Sequence, residues 1–250
     1  MPEVSIITPC YNSSKYLTET IQSVINQNFT DWEWIITDDC SQDNSVEIIQ
    51  QHNDPRIILI TSKKNSGAGY ARNMALQKAS GRYITFLDAD DIWEKNFLSE
   101  MVIFMKTEKA ELAYSNYSRC DENLNPTIAD FRADKIVTFA NLLKTCRLSL
   151  LSSMYDSQRV GKEYFPEGSK REDHIMWLNL LKKIPEGKPL PKTMAKYRIL
   201  PNSVSRNKSG IIWEQYLVYK KFMNFSTIKS IYYTLHWAFN GFMKYSKLFN

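Results

Sequence analysis

Three carboxylates crowd into four residues at Asp88-Ala89-Asp90-Asp91, directly after the β-rich run Tyr83 to Leu87. Such neighbours repel one another, and each resists ionising beside the others. A bound cation relieves that repulsion, and hard oxygen ligands suit Mg2+ or Mn2+ rather than zinc. In extended backbone, alternate residues point the same way, so Asp88 and Asp90 can address one ligand. The same residues also read as an acidic turn capping a helix near Trp93. The motif alone leaves both readings open.

A second acidic pair, Asp38-Asp39, ends the run Trp32 to Thr37. A carboxylate there can accept a hydrogen bond from a nucleobase or a ribose hydroxyl, or it can cap the helix that follows. The first β-rich run, Val4 to Thr8, ends in Pro9-Cys10-Tyr11-Asn12, which offers a stacking face at Tyr11 and a polar contact at Asn12. The loop Asn65-Ser66-Gly67-Ala68-Gly69 precedes Arg72, and its small residues let backbone approach a ligand closely. It has neither the Gly-Lys-Ser/Thr of a Walker loop nor the spacing of a dinucleotide fingerprint.

These residues must be carried by regular elements. Strand-like runs at 4–8, 32–37, 56–61, 83–87 and 112–117 alternate with helical spacing at 17–25, 46–49, 68–79 and 97–106. Near-continuous apolar strands separated by helices predict an α/β fold with a mostly parallel sheet covered on both faces. Such sheets bind ligands at the carboxyl ends of their strands, which would bring Asp39 and Asp88 to one rim. Further on, 139–147 and 172–183 read as helices, 194–199 as a strand, and everything after Pro201 as helical.

With 43% hydrophobic and 24% charged residues, the 250-residue chain can bury a sizeable core, which excludes disorder as the default. Four cysteines without paired spacing and three histidines build no zinc pattern and fit a reducing compartment. No window supplies the roughly 20 apolar residues of a membrane span. No basic leader opens the chain. The net charge of +5 is unevenly spread: from Gly187 onward there are eleven Lys and Arg against one acid, Glu214. An acidic body with a basic, aromatic end is expected in the cytoplasm, with that end facing an anionic leaflet. A solvated basic face is the plainer reading. No nucleic-acid-binding module is recognisable, and no nucleic-acid partner is expected.

Taken in order, the segments TPCYN, ITDDCSQDNS, NSGAGYARNMAL, GRYITFLDADD and REDHIMW resemble the family 2 glycosyltransferases from about Val4 to Ser205. The resemblance implies a GT-A fold: one Rossmann-like sheet flanked by helices, with a helical C-terminal extension. It implies a domain at 1–205, split into a nucleotide-sugar half (1–110) and an acceptor half (111–205), and a basic amphipathic tail at 206–250. Pro9, Tyr11 and Asn12 would surround uracil and ribose, Asp39 would partner the uracil ring, and Gly67 and Arg72 would help hold the nucleotide. Asp88, Ala89 and Asp90 would form the Asp-x-Asp donor motif, with Asp90 the ligand of Mn2+ or Mg2+ and Asp91 a contact to the sugars. Asp173 would be the catalytic base, with Glu172 beside it as a contact to the acceptor. Trp177, one helical turn on, would be either an apolar platform under the acceptor sugar or a core aromatic.

One departure concerns Leu200, which stands where many relatives carry a histidine that approaches the metal. Arg198, Ser203 and Ser205 remain as diphosphate contacts or as ordinary loop polarity. The segment YRILPNSVSRNK and the tail resemble enzymes that build O-antigen, capsule or teichuronic polymers. The implied activity is inverting transfer of a hexose or N-acetylhexosamine from a UDP-sugar to a lipid-diphosphate-linked saccharide at the inner leaflet. A nucleotidyltransferase and a non-catalytic nucleotide-sugar-binding subunit are the competing classes.

Overall fold

A computed structural model describes residues 1–133, 135–200 and 210–246. Ser203, Ser205 and the expected domain boundary at 205 lie outside the described residues. The first half alternates strand and helix: β1 (Val4–Cys10), α1 (Ser14–Ile25), β2 (Trp32–Asp38), α2 (Ser45–Gln51), β3 (Ile57–Thr61), α3 (Ala68–Lys78) and β4 (Tyr83–Phe86). The short β5 (Ile92–Trp93) then precedes α4 (Phe97–Thr107) and β6 (Leu112–Cys120). After these come β7 (Pro126–Phe131), α5 (Phe139–Leu142), β8 (Ser153–Asp156), α6 (Ser157–Val160), α7 (Glu172–Lys183) and β9 (Lys188–Arg198). The chain continues into α8 (Ile211–Leu217), a π-helical turn at Val218–Phe222, and α9 (Thr227–Ser246).

One sheet runs in the order β3-β2-β1-β4-β8-β6-β9-β5, with β7 paired to the outer part of β6. β1 pairs in parallel with β2 and β4, and β2 with β3. The parallel sheet predicted from the apolar runs therefore covers the first four strands. Beyond β4 the sheet is mixed, because β8 is antiparallel to both β4 and β6, while β6 and β9 are parallel. Short β8, two-residue β5 and exposed β7 carry no sustained apolar alternation, which is why the sequence pattern does not announce them.

Both faces of β1, β2 and β4 are dry, as their strand sequences require. Ile7, Ile35, Ile84 and Phe86 pack with Ala75 and Leu76 of α3 and with Trp177, Leu178 and Leu181 of α7. Their strand neighbours Ile6, Trp34 and Ile36 face the other way, onto Leu17, Ile21 and Val24 of α1 and Phe97 and Met101 of α4. Successive residues thus feed opposite cores, so neither register of β1 or β2 can be polar. β1 lies between β2 and β4, so the chain reverses its winding direction there. The crevice at the carboxyl ends of β1, β2 and β4 is the ligand position this topology favours.

Candidate active site

The rim begins where β1 meets its neighbours. Cys10 pairs with Asp38, so Tyr11 and Asp39 leave the sheet side by side. Asn12 turns the chain with φ of 47°, a left-handed conformation that asparagine tolerates better than most residues. Its amide donates to Ser41 Oγ at 2.9 Å, and its Oδ1 accepts from the Gln42 amide at 2.7 Å. The β1–α1 and β2–α2 loops are thereby locked together. Tyr11 stays 47% exposed at the mouth. Pro9 is a partly buried strand residue opposite Thr37.

Asp39 is buried, and its carboxylate accepts from the amides of Ser66 at 3.0 Å and Gly67 at 2.7 Å. The expected nucleobase partner is therefore also the anchor of the loop that opens α3. Gly67 turns with φ of 93°, a conformation in which an L side chain would be strained.

The acidic turn is held from below. The Asp91 amide donates to Asp88 O at 3.1 Å, and Thr20 of α1 donates to Ala89 O and Asp91 O at 3.1 and 2.9 Å. Ala89 is buried, so it serves the turn through its backbone. Burial first, and then the charge of Asp88, push the Asp90 carboxyl up to about 6. Asp88 and Asp90 offer oxygen donors of the kind a hard divalent cation takes, while no group of three or more such ligands converges among the described residues.

Asp91 requires a correction. It is 1% exposed and accepts the Arg198 amide at 2.8 Å, so it ties the end of β9 to the turn instead of meeting a sugar. Burial, and next the charges of Asp90 and Asp88, raise its carboxyl well above the usual range. Arg198 is also turned inward. Its guanidinium pairs with Glu19 of α1 and lies 4.5 Å from the Tyr16 ring centroid, while its Nε and Nη1 are buried without a hydrogen-bond partner.

Arg72 organises the opposite side of the crevice. Its buried guanidinium donates to Asp88 Oδ1 at 2.6 Å and to Glu172 Oε1 at 3.2 Å. Desolvation would favour its neutral form, but the charges of Asp88, Glu172 and Asp173 outweigh that and hold the proton more firmly than usual. One cation thus joins the acidic turn after β4 to the first turn of α7. The residue expected to help hold the nucleotide is thus also the link between these carboxylates. Glu172 also accepts from the Gly69 amide, and burial raises its carboxyl despite the opposing charge of Arg72.

Asp173 sits in the first turn of α7, partly exposed, within electrostatic reach of Arg72. The next residue, His174, is fully buried. Its Nε2 faces Leu142 O at 3.1 Å, which makes that nitrogen the donor, and its Nδ1 accepts from Gln215 Nε2 of α8 at 3.2 Å. Burial, and after it the charge of Arg171, push its imidazolium down to about 4. Trp177 is corrected to the core reading. It is 0% exposed and meets Phe86 edge to face at 6.2 Å between centroids, so it cannot lie under a sugar.

The structure thus gathers Asp88, Asp90, Arg72, Glu172 and Asp173 into one electrostatic cluster and joins Asp39 to it through the Gly67 loop. It buries Asp91 and Trp177 away from direct contact. No local pattern marks Glu19 or Gln215, whose partners lie 179 and 41 residues away in the chain.

Comparison with known proteins follows the same geometry. Residues 5–152 match the model of the family described as Glycosyl transferase family 2. TuaG of Bacillus subtilis (strain 168), named as a glycosyltransferase of teichuronic acid biosynthesis, is 35% identical over 97% of this chain and 97% of its own. WfgD of Escherichia coli, named a UDP-Glc:alpha-D-GlcNAc-diphosphoundecaprenol beta-1,3-glucosyltransferase, is 34% identical over 97% of this chain and 95% of its own. Among solved structures, S. aureus TarS 1-349 in complex with UDP-GlcNAc superposes with a TM-score of 0.75 at 22% identity, covering 91% of this chain and 69% of that one. The mannosyltransferase PcManGT from Pyrobaculum calidifontis, solved with GDP-Man and Mn2+, gives 0.68 at 16% identity over 93% and 70%. These structural likenesses establish the GT-A architecture.

Proposed function

The chain belongs to glycosyl transferase family 2, and on that premise we propose that it moves a hexose or N-acetylhexosamine, with inversion, from a UDP-sugar to a lipid-diphosphate-linked saccharide during cell-surface polysaccharide synthesis. One observation carries this reading: Arg72 bridges the acidic turn and the first turn of α7, so the two acids required on opposite sides of an anomeric carbon share one crevice. The relatives whose names specify UDP-Glc and GlcNAc-diphosphoundecaprenol extend over nearly the whole chain, which supports glucose as the first donor to test.

The acceptor hydroxyl is a weak nucleophile. Asp173 takes its proton as the oxygen attacks the anomeric carbon, and the bond from that carbon to the diphosphate oxygen breaks on the far side. Attack opposite the leaving group inverts the configuration and needs no covalent intermediate. Tyr11 and Asn12 border the nucleoside pocket, and Asp39 fixes the Ser66–Gly67 loop beside it. Asp90, with Asp88 next to it, would hold Mn2+ or Mg2+, which when bound offsets the charge of the departing diphosphate. Glu172 and Arg72 keep the base and the acidic turn at fixed separation. The acceptor's lipid would keep the enzyme peripheral on the cytoplasmic leaflet.

The test is a donor screen with several UDP-sugars and a synthetic GlcNAc-diphospho-lipid, with and without Mn2+. Release of UDP together with a glycosylated lipid supports transfer, whereas release of pyrophosphate would mean nucleotidyl transfer. Asp173→Asn should nearly abolish transfer while UDP still binds. Normal turnover in that variant would remove Asp173 from its role.

A further inference from the structure

Two helices at the end of the chain turn an apolar surface outward. α9 is held to the body on one side only: Tyr233 packs 5.7 Å from the rings of both Tyr219 and Phe225, while Ser230 and Thr234 are buried. Its opposite side exposes Ile231, Leu235, Phe239 and Phe242, the last three at 63–71%. A 20-residue helix is about 30 Å long, so this is a stripe and not a spot. α8 widens it with Ile212 and Trp213, each more than half exposed. An apolar cleft of about 590 Å³ separates the two helices. Exposed apolar surface of this extent marks an interaction site.

Charge selects the occupant. Residues 206–250 hold seven Lys and Arg and one acid, Glu214. A second copy seated on this face about a twofold axis would bring together two segments of the same net positive charge. An anionic bilayer satisfies both the charge and the apolar stripe. No helix among the described residues is long and apolar enough to cross a membrane, so the surface would lie in the interface plane.

The surface is also attached to the base. Gln215 of α8 donates to His174, the residue after Asp173, and Trp237 of α9 lies 5.2 Å from the guanidinium of Arg171, which caps α7. We propose that α8 and α9 together form the docking face for an anionic bilayer, and that docking brings the Asp173 end of the crevice to the membrane surface. The docking stands on the exposed face itself; its use in catalysis rests on the lipid-linked acceptor proposed above.

Cosedimentation of the full chain with vesicles of phosphatidylcholine and phosphatidylglycerol (7:3), and with phosphatidylcholine alone, tests it. The chain should pellet with the anionic vesicles, less so as salt rises. Leu235→Glu and Phe239→Glu, at exposed positions, should lower the bound fraction at least tenfold while UDP affinity and donor hydrolysis stay unchanged. Transfer to a long-chain lipid acceptor in vesicles should fall in step, and transfer to a short-chain soluble acceptor should not. No pelleting of the parent chain, or equal pelleting of the variants, would overturn the docking face. So would a stable dimer that Leu235→Glu dissociates. Absence of hydrolysis with every UDP-sugar would instead count against the transferase reading and leave vesicle binding as it stands.

Discussion

Gly69 and Glu172 fit together so closely that a Cβ built at residue 69 would meet the Glu172 carboxylate. The contact joins the first turn of α3 to the first turn of α7, and the same carboxylate receives Arg72. The missing methyl group thus leaves room for the carboxylate that receives Arg72.

Gly69→Ala should push the Glu172 carboxylate off Arg72. We expect kcat to fall about tenfold or more, equivalent to ~1.4 kcal/mol at the barrier, while UDP affinity changes little. Steady-state kinetics with parallel calorimetric UDP titration separate the two. Equal loss of both would mean that the glycine serves the nucleotide loop instead.

Asp90→Asn should stabilise the metal-free protein at pH 7. The folded carboxyl is raised to about 6 by burial and by Asp88, so the folded state holds its proton more tightly than the unfolded chain does. Stability therefore declines as pH rises through roughly 4 to 6, and removing the charge should recover about 1–2 kcal/mol at pH 7 and nothing at pH 4. Thermal melts at the two pH values check the sign. Added Mn2+ should raise the melting temperature of the parent and not of the variant, and its affinity for the parent should weaken below pH 6.

His174 gives a slope of the opposite sign. Its folded pKa of about 4 lies below the ordinary value of 6.5, because the ring is buried and Arg171 is near. The stability of the neutral ring is fully present above pH 6.5 and is lost as pH falls towards 4. His174→Gln should flatten the urea-midpoint profile in that window by about 1–3 kcal/mol. Comparing variant with parent cancels the contribution of Asp90.

Trp177→Ala should cost about 3–5 kcal/mol of stability, as expected for deleting a buried aromatic. Trp177→Phe should cost less and leave the KM for acceptor unchanged. A folded Phe variant with a strongly raised acceptor KM would restore the platform role. Denaturant titration and acceptor kinetics on both variants decide it.

The first half of the fold is legible in the sequence because its signals are local. Apolar runs separated by helices announce a parallel sheet, and residues that directly follow such strands must come out on one rim, as Asp39 and Asp88 do. The antiparallel β8 and edge β5 were not legible, since four-residue and two-residue strands owe their existence to the neighbours they pair with.

The amino-acid order by itself determined which acids stand at strand ends, that α7 begins with Glu172 and Asp173, and that the chain ends basic and aromatic. Tertiary structure alone decided which way the ambiguous side chains turn. Trp177 and Asp173 share a helical spacing, but only the packing of α7 on Phe86 puts one in the core while the other stays at the rim. Asp91 and Asp90 are neighbours in one motif, yet the Arg198 amide claims the first and leaves the second at the crevice. Periodicity specifies faces; what each face meets depends on contacts a hundred residues apart, such as Arg72 with Glu172, which form only when the sheet has closed.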